Sequence, residues 1–389
     1  MIKVLRIINR FNLGGPTYNA ALLTRYLDDD FETMLIGGLP DEGETDSLHI
    51  LEKYDVRPII IPELIRNPNP LSDRKAYRKI KAIIQEFQPD IVHTHASKAG
   101  VLGRRAAISC GVQVIVHTYH GHVFHSYFGP IKTFMIKSLE RNLANKSTGI
   151  VAISQLQKEE LAVEHRVCRA EKIKVIPLGF DLSDFLKEDW EQREKIRTHY
   201  GLDKHTVAIA IVGRLAPIKN HAFFLEVIEK LLRQGVSNIK VFIAGDGSER
   251  TVLEEKVKRI TEEFGPKIVL TSWVFDIAAF NKGMDIMCLT SNNEGTPVSL
   301  IEAQASGLPV LSTDVGGVKD IVLDGESGFI TKLGDSETYV ENLRLLVENE
   351  KLRVKFAEIG KEFVRERFSF ERLTSEMSEY YRKLLNRKK

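Results

Sequence analysis

Short, nearly unbroken apolar runs alternate along this chain with longer segments whose apolar residues recur every three to four positions. The run at 4–8 suits a strand buried on both faces, and Gly14-Gly15-Pro16 then opens a helical pattern reaching Leu27. Further strands are predicted at 33–36, 58–61, 90–93, 113–116, 149–153 and 174–176. Between them, Ala76, Ile80, Ile83, Ile84 and Phe87 share one helical face. Strand–helix–strand spacing of this kind predicts right-handed crossovers and a parallel sheet covered on both sides.

After Pro177-Leu178-Gly179-Phe180-Asp181 the pattern weakens through Trp190, then resumes with strands predicted at 207–212, 239–244, 267–270, 285–289, 309–312 and 328–330. Two Rossmann-like α/β domains follow, 1–180 and 181–368, facing across a cleft that takes a ligand at the strand carboxyl ends. A last helix, 369–389, carries Leu373, Met377, Tyr380, Tyr381 and Leu384 on its apolar side. Basic residues Arg382, Arg387, Lys388 and Lys389 lie toward its end, as the helix dipole favours.

Composition narrows the class of partner. At about 150 residues per domain, 389 residues make two to three domains, and 43% hydrophobic with 28% charged residues excludes disorder. A formal charge of +2 gives no general reason to expect nucleic acid. Cys110, Cys168 and Cys288 form no disulfide or zinc pattern. No run reaches the roughly 18 apolar residues of a membrane span, and the start at Met1 reads as a strand rather than a leader. The expectation is a cytoplasmic protein.

The most informative stretch is Asn293-Glu294-Gly295-Thr296-Pro297-Val298-Ser299-Leu300-Ile301-Glu302-Ala303. Thr296 is expected to cap a helix with Pro297 at its first position, leaving the N–H groups of Val298, Ser299 and Leu300 to attract phosphate. Glu294 and Glu302 then reach different parts of a ligand, sugar hydroxyls and ribose hydroxyls. The alternative is a surface helix with a dipole-favourable Glu294 and a solvated Glu302. Gly213-Arg214-Leu215-Ala216-Pro217-Ile218-Lys219-Asn220 follows another strand, and Arg214 with Lys219 would give a diphosphate two cations from one loop. Lys219 near a helix N-terminus is electrostatically awkward without an anion. Gly14-Gly15 lets backbone approach a ligand closely, although turn chemistry also accounts for it.

Six of the eleven histidines (His93, His95, His117, His120, His122, His125) fall between residues 93 and 125. No spacing typical of metal ligands accompanies them, so no metal site is expected, and His120 before Gly121 is the best candidate for a sugar contact. In 123–145, Phe124, Tyr127, Phe128, Ile131, Phe134, Met135 and Leu139 mix with basic residues, a stripe expected to pack on its own domain, with peripheral contact to an anionic membrane as the alternative.

In this order and spacing, these residues resemble the family-4 glycosyltransferases, retaining, nucleotide-sugar-dependent enzymes of the GT-B fold, over essentially the whole chain. Ala152-Ile153-Ser154 and Ser306-Gly307-Leu308-Pro309-Val310 add to the likeness. The resemblance implies that Arg214 and Lys219 neutralise the donor diphosphate without a metal or other cofactor. Gly14, Gly15, Gly295 and the stretch Thr296, Pro297, Val298, Ser299, Leu300 would complete the phosphate cradle. Glu302 would hold the ribose, Glu294 and His120 the donor sugar, and Trp273 and Val274 would flank the base. Ser272 stands where the family often has glycine. The last helix is expected to cross back onto the first domain. The donor would be a UDP-hexose or UDP-N-acetylhexosamine and the acceptor a glycan or polyprenyl-linked hydroxyl, in cell-surface polysaccharide or glycolipid synthesis. A nucleotide-sugar epimerase or phosphorylase on the same scaffold is the alternative; a nicotinamide oxidoreductase lacks its G-x-G-x-x-G.

Overall fold

A computed structural model describes the chain except for residues 13–14, 41–46, 66, 121–128 and 388–389. Gly14, His122 and His125 therefore lie outside the described residues. The chain divides into two compact units, Met1–Phe180 with Phe368–Lys389, and Asp181–Arg367.

The first unit is built on β1 (Ile2–Arg10), β2 (Phe31–Gly38), β3 (Ile59–Ile60), β4 (Ile91–His95), β5 (Val114–Tyr119), β6 (Gly149–Ala152) and β7 (Ile173–Val175). They form one sheet in the order β3-β2-β1-β4-β5-β6-β7, with every pair parallel. The sheet reverses its winding between β1 and β4. Helices cover it because its strands are Val- and Ile-rich on both faces. The helix Pro70–Phe87 buries Ala76, Ile80, Ile84 and Phe87, the predicted stripe, and Asn69 caps it by accepting from Leu71 and Ser72 N–H.

The helix Phe370–Asn386 belongs to this first unit. Its Leu373, Met377, Tyr381 and Leu384 pack with Val4, Ile91, Val114 and Val116 under the sheet, each side chain adding roughly 1.5–3 kcal/mol of burial. Arg382 fixes its position by reaching Asp28 and Asp30 at 2.6 and 2.7 Å.

Of the stripe at 123–145, Phe124, Tyr127 and Phe128 lie outside the described residues, and the part in the next helix departs from the expected packing. In the helix Pro130–Lys146, Leu143 and Ala144 are buried, but Phe134 is 67% and Met135 65% exposed, and Leu139 is exposed as well. The inner face is occupied instead by Glu140, which pairs with the buried Arg104 at 2.7 Å and accepts from Tyr119 Oη at 2.7 Å. The stripe is split because a buried ion pair takes the inward positions.

The second unit holds β8 (Val207–Val212), β9 (Ile239–Ala244), β10 (Ile268–Ser272), β11 (Ile286–Leu289), β12 (Val310–Thr313) and β13 (Gly328–Thr331). Their order is β10-β9-β8-β11-β12-β13, again all parallel, with the reversal between β8 and β11. In open sheets of this kind a ligand sits at the carboxyl ends of the strands flanking the reversal. The residues following β8 and β11, and those following β1 and β4, are therefore the ones to inspect.

Candidate functional site

In the second unit the segments after β8 and β11 are laced together. Thr290 Oγ1 donates to the carbonyls of Lys219 and Asn220 at 3.2 and 3.1 Å, and Asn292 N–H donates to Ile218 O at 2.8 Å. This framework brings Lys219 Nζ to 2.6 Å from Glu294 Oε1, which also accepts from Ser291 Oγ at 2.5 Å. Lys219 lies in the 3-10 turn Pro217–Lys219, before the helix His221–Arg233. Its charge is answered by Glu294, so the awkward isolated lysine of the sequence does not exist. Arg214 is exposed, and its guanidinium has no partner among the described residues.

Glycine makes this lacing possible. A Cβ on Gly316, which has φ +50°, would lie 1.7 Å from Glu294 O, and one on Gly245, φ +149°, would lie 1.9 Å from Gly213 O. Only glycine allows such backbone approach at positive φ.

The helix Val298–Ala305 begins with Pro297 rather than Thr296 as its cap residue, without a side-chain cap bond. Leu300 N–H is spent on Pro297 O at 3.1 Å. The N–H groups of Val298 and Ser299 have no acceptor among the described residues. Two free amides thus stand beside Gly295 and Thr296, not three. Glu302, one turn further, is half-buried and meets no cation among the described residues; burial pushes its carboxyl up to about 7. It is not the solvated surface residue of the alternative.

At the end of β10, Ser272 takes φ +63°, in the left-handed region. A non-glycine residue there is strained, and the serine offsets this by donating from Oγ to Asp246 Oδ2 at 2.9 Å. Asp246 also accepts from Gly247 N–H and from Arg250. The next residues, Trp273 and Phe275, are exposed and Val274 is half-buried.

In the first unit, Gly15 opens the helix Gly15–Arg25 after β1. Around β4 and β5, His93, His95 and His117 are all buried. His93 Nε2 meets Thr118 Oγ1 at 2.7 Å, and its Nδ1 meets Tyr381 Oη of the last helix. His117 Nδ1 meets Thr94 Oγ1 at 2.8 Å. His95 Nδ1 lies 2.9 Å from His120 Nε2, the two rings being stacked. Burial lowers all four pKa values, His120 to about 4, so these histidines are neutral near pH 7. They are engaged with one another and with hydroxyls, and among the described residues no group of three or more His, Cys, Asp or Glu could hold a metal ion.

Residues 192–363 match the family Glycosyl transferases group 1, and residues 13–184 match Glycosyltransferase Family 4. The chain is 31% identical over 302 residues to the UDP-Gal:alpha-D-GlcNAc-diphosphoundecaprenol alpha-1,3-galactosyltransferase of Escherichia coli, covering 77% of each chain. It is 26% identical to the capsular polysaccharide biosynthesis glycosyltransferase CapM of Staphylococcus aureus, over 86% of this chain and 87% of that one. The chain belongs to the family-4 glycosyltransferases. The fold is shared with HepE of Anabaena solved in complex with UDP (TM-score 0.81, 20% identity, 98% of this chain and 100% of that one) and with WaaG, a glycosyltransferase involved in lipopolysaccharide biosynthesis (TM-score 0.70, 15% identity, 97% and 99%). Two Rossmann-like units make it a GT-B glycosyltransferase.

The sequence named the candidate cations and carboxylates but not the residues that pack and hydrogen-bond around them. Asp246, Gly316 and His95 contact residues more than 20 positions away, whereas Ser291 reaches Glu294 only three positions on. Gly316-Gly317, three residues after the end of β12, was the one available signal.

Proposed function

We propose that this glycosyltransferase is a retaining, metal-independent enzyme that moves a hexose or N-acetylhexosamine from UDP to a hydroxyl of a polyprenyl-linked glycan, in cell-surface polysaccharide or glycolipid synthesis. The supporting observation lies in the second unit: Lys219 paired with Glu294, Arg214 on the same loop without a partner among the described residues, and the free N–H groups of Val298 and Ser299 four to five residues beyond Glu294, with Glu302 one turn further along the helix. Arg214, Lys219 and those amides match a diphosphate, which gains negative charge as it leaves. As the donor arrives, Lys219 exchanges Glu294 for phosphate, and Glu294 turns to the sugar hydroxyls. Glu302 accepts two hydroxyls of the ribose, Trp273 and Val274 flank the base, and backbone near Gly15 approaches the phosphates. His120 meets the donor sugar. Retention follows from acceptor attack on the face the diphosphate leaves, the departing oxygen taking the acceptor proton.

The printed names of the relatives support the donor and acceptor classes: the Escherichia coli relative is named for UDP-Gal and a diphosphoundecaprenol-linked GlcNAc, and HepE was solved with UDP. Peripheral contact with an anionic membrane fits the helix Pro130–Lys146, whose exposed face carries Phe134, Met135 and Leu139 while its one acid, Glu140, is buried. No helix of the described residues is long and apolar enough to cross a membrane. The test is incubation with UDP-glucose, UDP-galactose and their N-acetyl analogues plus a polyprenyl-diphosphate-linked sugar, in EDTA. A new α-linked product from one α-configured donor supports the reading; a β-linked product, or release of UDP only with added metal, contradicts it.

A further inference from the structure

Three loops of the second unit meet at Asp246. β9 lies between β8 and β10 in the sheet, so the segment after it, Gly245-Asp246-Gly247, joins the loop of Arg214 to the loop of Trp273. On the β8 side the joints are backbone: Leu215 N–H donates to Asp246 O at 2.9 Å, and Glu249 N–H donates to Leu215 O at 3.0 Å. A Cβ on Gly247 would lie 2.4 Å from Leu215 O, so glycine is what lets the two loops close this far. On the β10 side the backbone bond from Gly245 N–H to Ser272 O, 2.9 Å, is joined by a side-chain bond, Ser272 Oγ to Asp246 Oδ2.

β10 ends irregularly. Leu270 pairs with Ile243 and Ser272 with Ala244, which leaves Thr271 as an extra residue on the β10 side, and Ser272 then takes φ +63°. A bulge of this kind re-aims the residues that follow it, here the exposed Trp273 and the half-buried Val274. For a residue with a Cβ the left-handed region is unfavourable, and the Asp246 carboxylate opposes relaxation out of it. Its Oδ2 takes the Ser272 hydroxyl and Arg250 Nη1, the latter at 3.1 Å, while Oδ1 is held by Gly247 N–H at 2.7 Å. These donors, Ser272 foremost, keep the carboxyl below the ordinary aspartate range, so it is a charged acceptor at neutral pH.

We propose that Asp246 is a positioning residue for the nucleoside half of the donor: through Ser272 it holds the strained turn that presents Trp273 and Val274 at a fixed span from the diphosphate loop of Arg214. The proposal rests on the reading that Trp273 and Val274 flank the base. Asp246 acts without touching the ligand, its backbone carbonyl tied to the Arg214 loop and its carboxylate to the Trp273 loop. A glycine at position 272 would take φ +63° unaided and make the carboxylate dispensable.

The experiment is titration calorimetry of UDP and of inorganic pyrophosphate with the full chain as wild type, Asp246→Ala, Ser272→Ala, the double variant Asp246→Ala/Ser272→Gly, and Trp273→Ala. Asp246→Ala keeps the backbone bond to Leu215 and removes the carboxylate. It is expected to bind UDP about tenfold more weakly, the size of one hydrogen bond to a charged group, with pyrophosphate binding unchanged. The double variant recovers most of that loss, which a general structural defect would not do. Ser272→Ala, which keeps the Cβ and loses the hydroxyl, breaks the same bond from the other side and matches Asp246→Ala; it decides the matter should the Asp246 variants not fold. Unchanged UDP affinity in Asp246→Ala or Ser272→Ala, an equal loss for pyrophosphate, or a double variant as weak as Asp246→Ala overturns the inference while Trp273→Ala is weakened. Full UDP affinity in Trp273→Ala would instead overturn the placement of the base.

Discussion

After β8 in the second unit, Arg214 is exposed without a partner among the described residues and the partly exposed Lys219 is held by the charge of Glu294, whereas on β4 in the first unit His93 and His95 are buried and neutral. Both places flank the reversal of winding in a parallel sheet, so topology alone does not set their chemistry. The proposed function accounts for the difference by what each would have to do. A cation that is to take a diphosphate needs a partner it can release, and Glu294 beside Lys219 is such a partner. A group that only orients a hydroxyl gains from low dielectric and fixed geometry, and full burial gives it both.

The sharpest way to break this contrast is to remove a charge that has no structural partner. Arg214→Ala is expected to lower kcat by about 10²–10³-fold while leaving the melting temperature unchanged, as steady-state kinetics and calorimetry will show. A large fall in melting temperature would mean that Arg214 is structural. Next, Gly316→Ala places a methyl group against Glu294 O at positive φ; it should raise donor KM at least about tenfold and destabilise by about 2–4 kcal/mol, in the range of severe backbone effects, read by denaturant unfolding.

The third prediction concerns pH. Glu302 has its carboxyl raised from 4.5 to about 7 by burial, so between those values the folded state binds more protons than the unfolded one, and the group's contribution to stability falls as pH rises through that window. Glu302→Gln should therefore stabilise the ligand-free protein at pH 8 and change little at pH 4.5. UDP affinity, which needs the carboxylate, should weaken as pH drops below about 7 in the wild type. It should be weak and nearly flat with pH in Glu302→Gln, by titration calorimetry from pH 6 to 8.5.

A smaller effect is expected at the exposed helix Pro130–Lys146. Phe134→Ser with Met135→Ser should reduce flotation with vesicles containing anionic lipid and leave transfer to a soluble acceptor intact. Equal flotation would contradict a membrane role for this face. The smallest effect is Ser272→Gly, which relieves the φ of +63° but removes the bond to Asp246; stability should move by less than about 1 kcal/mol.

The strands were legible because both faces are buried and the apolar runs are nearly unbroken; 207–212 and 239–244 coincide with β8 and β9, and 174–176 is displaced by one residue from β7. The carboxylates and cations were legible as residues but not as a geometry. The Lys219–Glu294 contact spans 75 positions, which local pattern cannot encode, and so an ion pair was read as an isolated charge. Thr296 looked like a cap because threonine favours that position, yet Pro297 takes it. The stripe at Phe134 was misread because periodicity reports amphipathicity and not which face is buried; Arg104, drawn from another helix, decided that.

The central claim, that a diphosphate is gripped by Arg214, Lys219 and free amides, is tested most directly by calorimetric binding of UDP and of uridine in EDTA to the wild type and to Arg214→Ala. The account predicts that UDP binds without a divalent ion, that uridine binds far more weakly, and that the substitution weakens UDP by about ten- to hundredfold, in keeping with a charge-assisted contact, with uridine unaffected. Equal weakening of both ligands, or UDP binding only when a divalent ion is supplied, would contradict it.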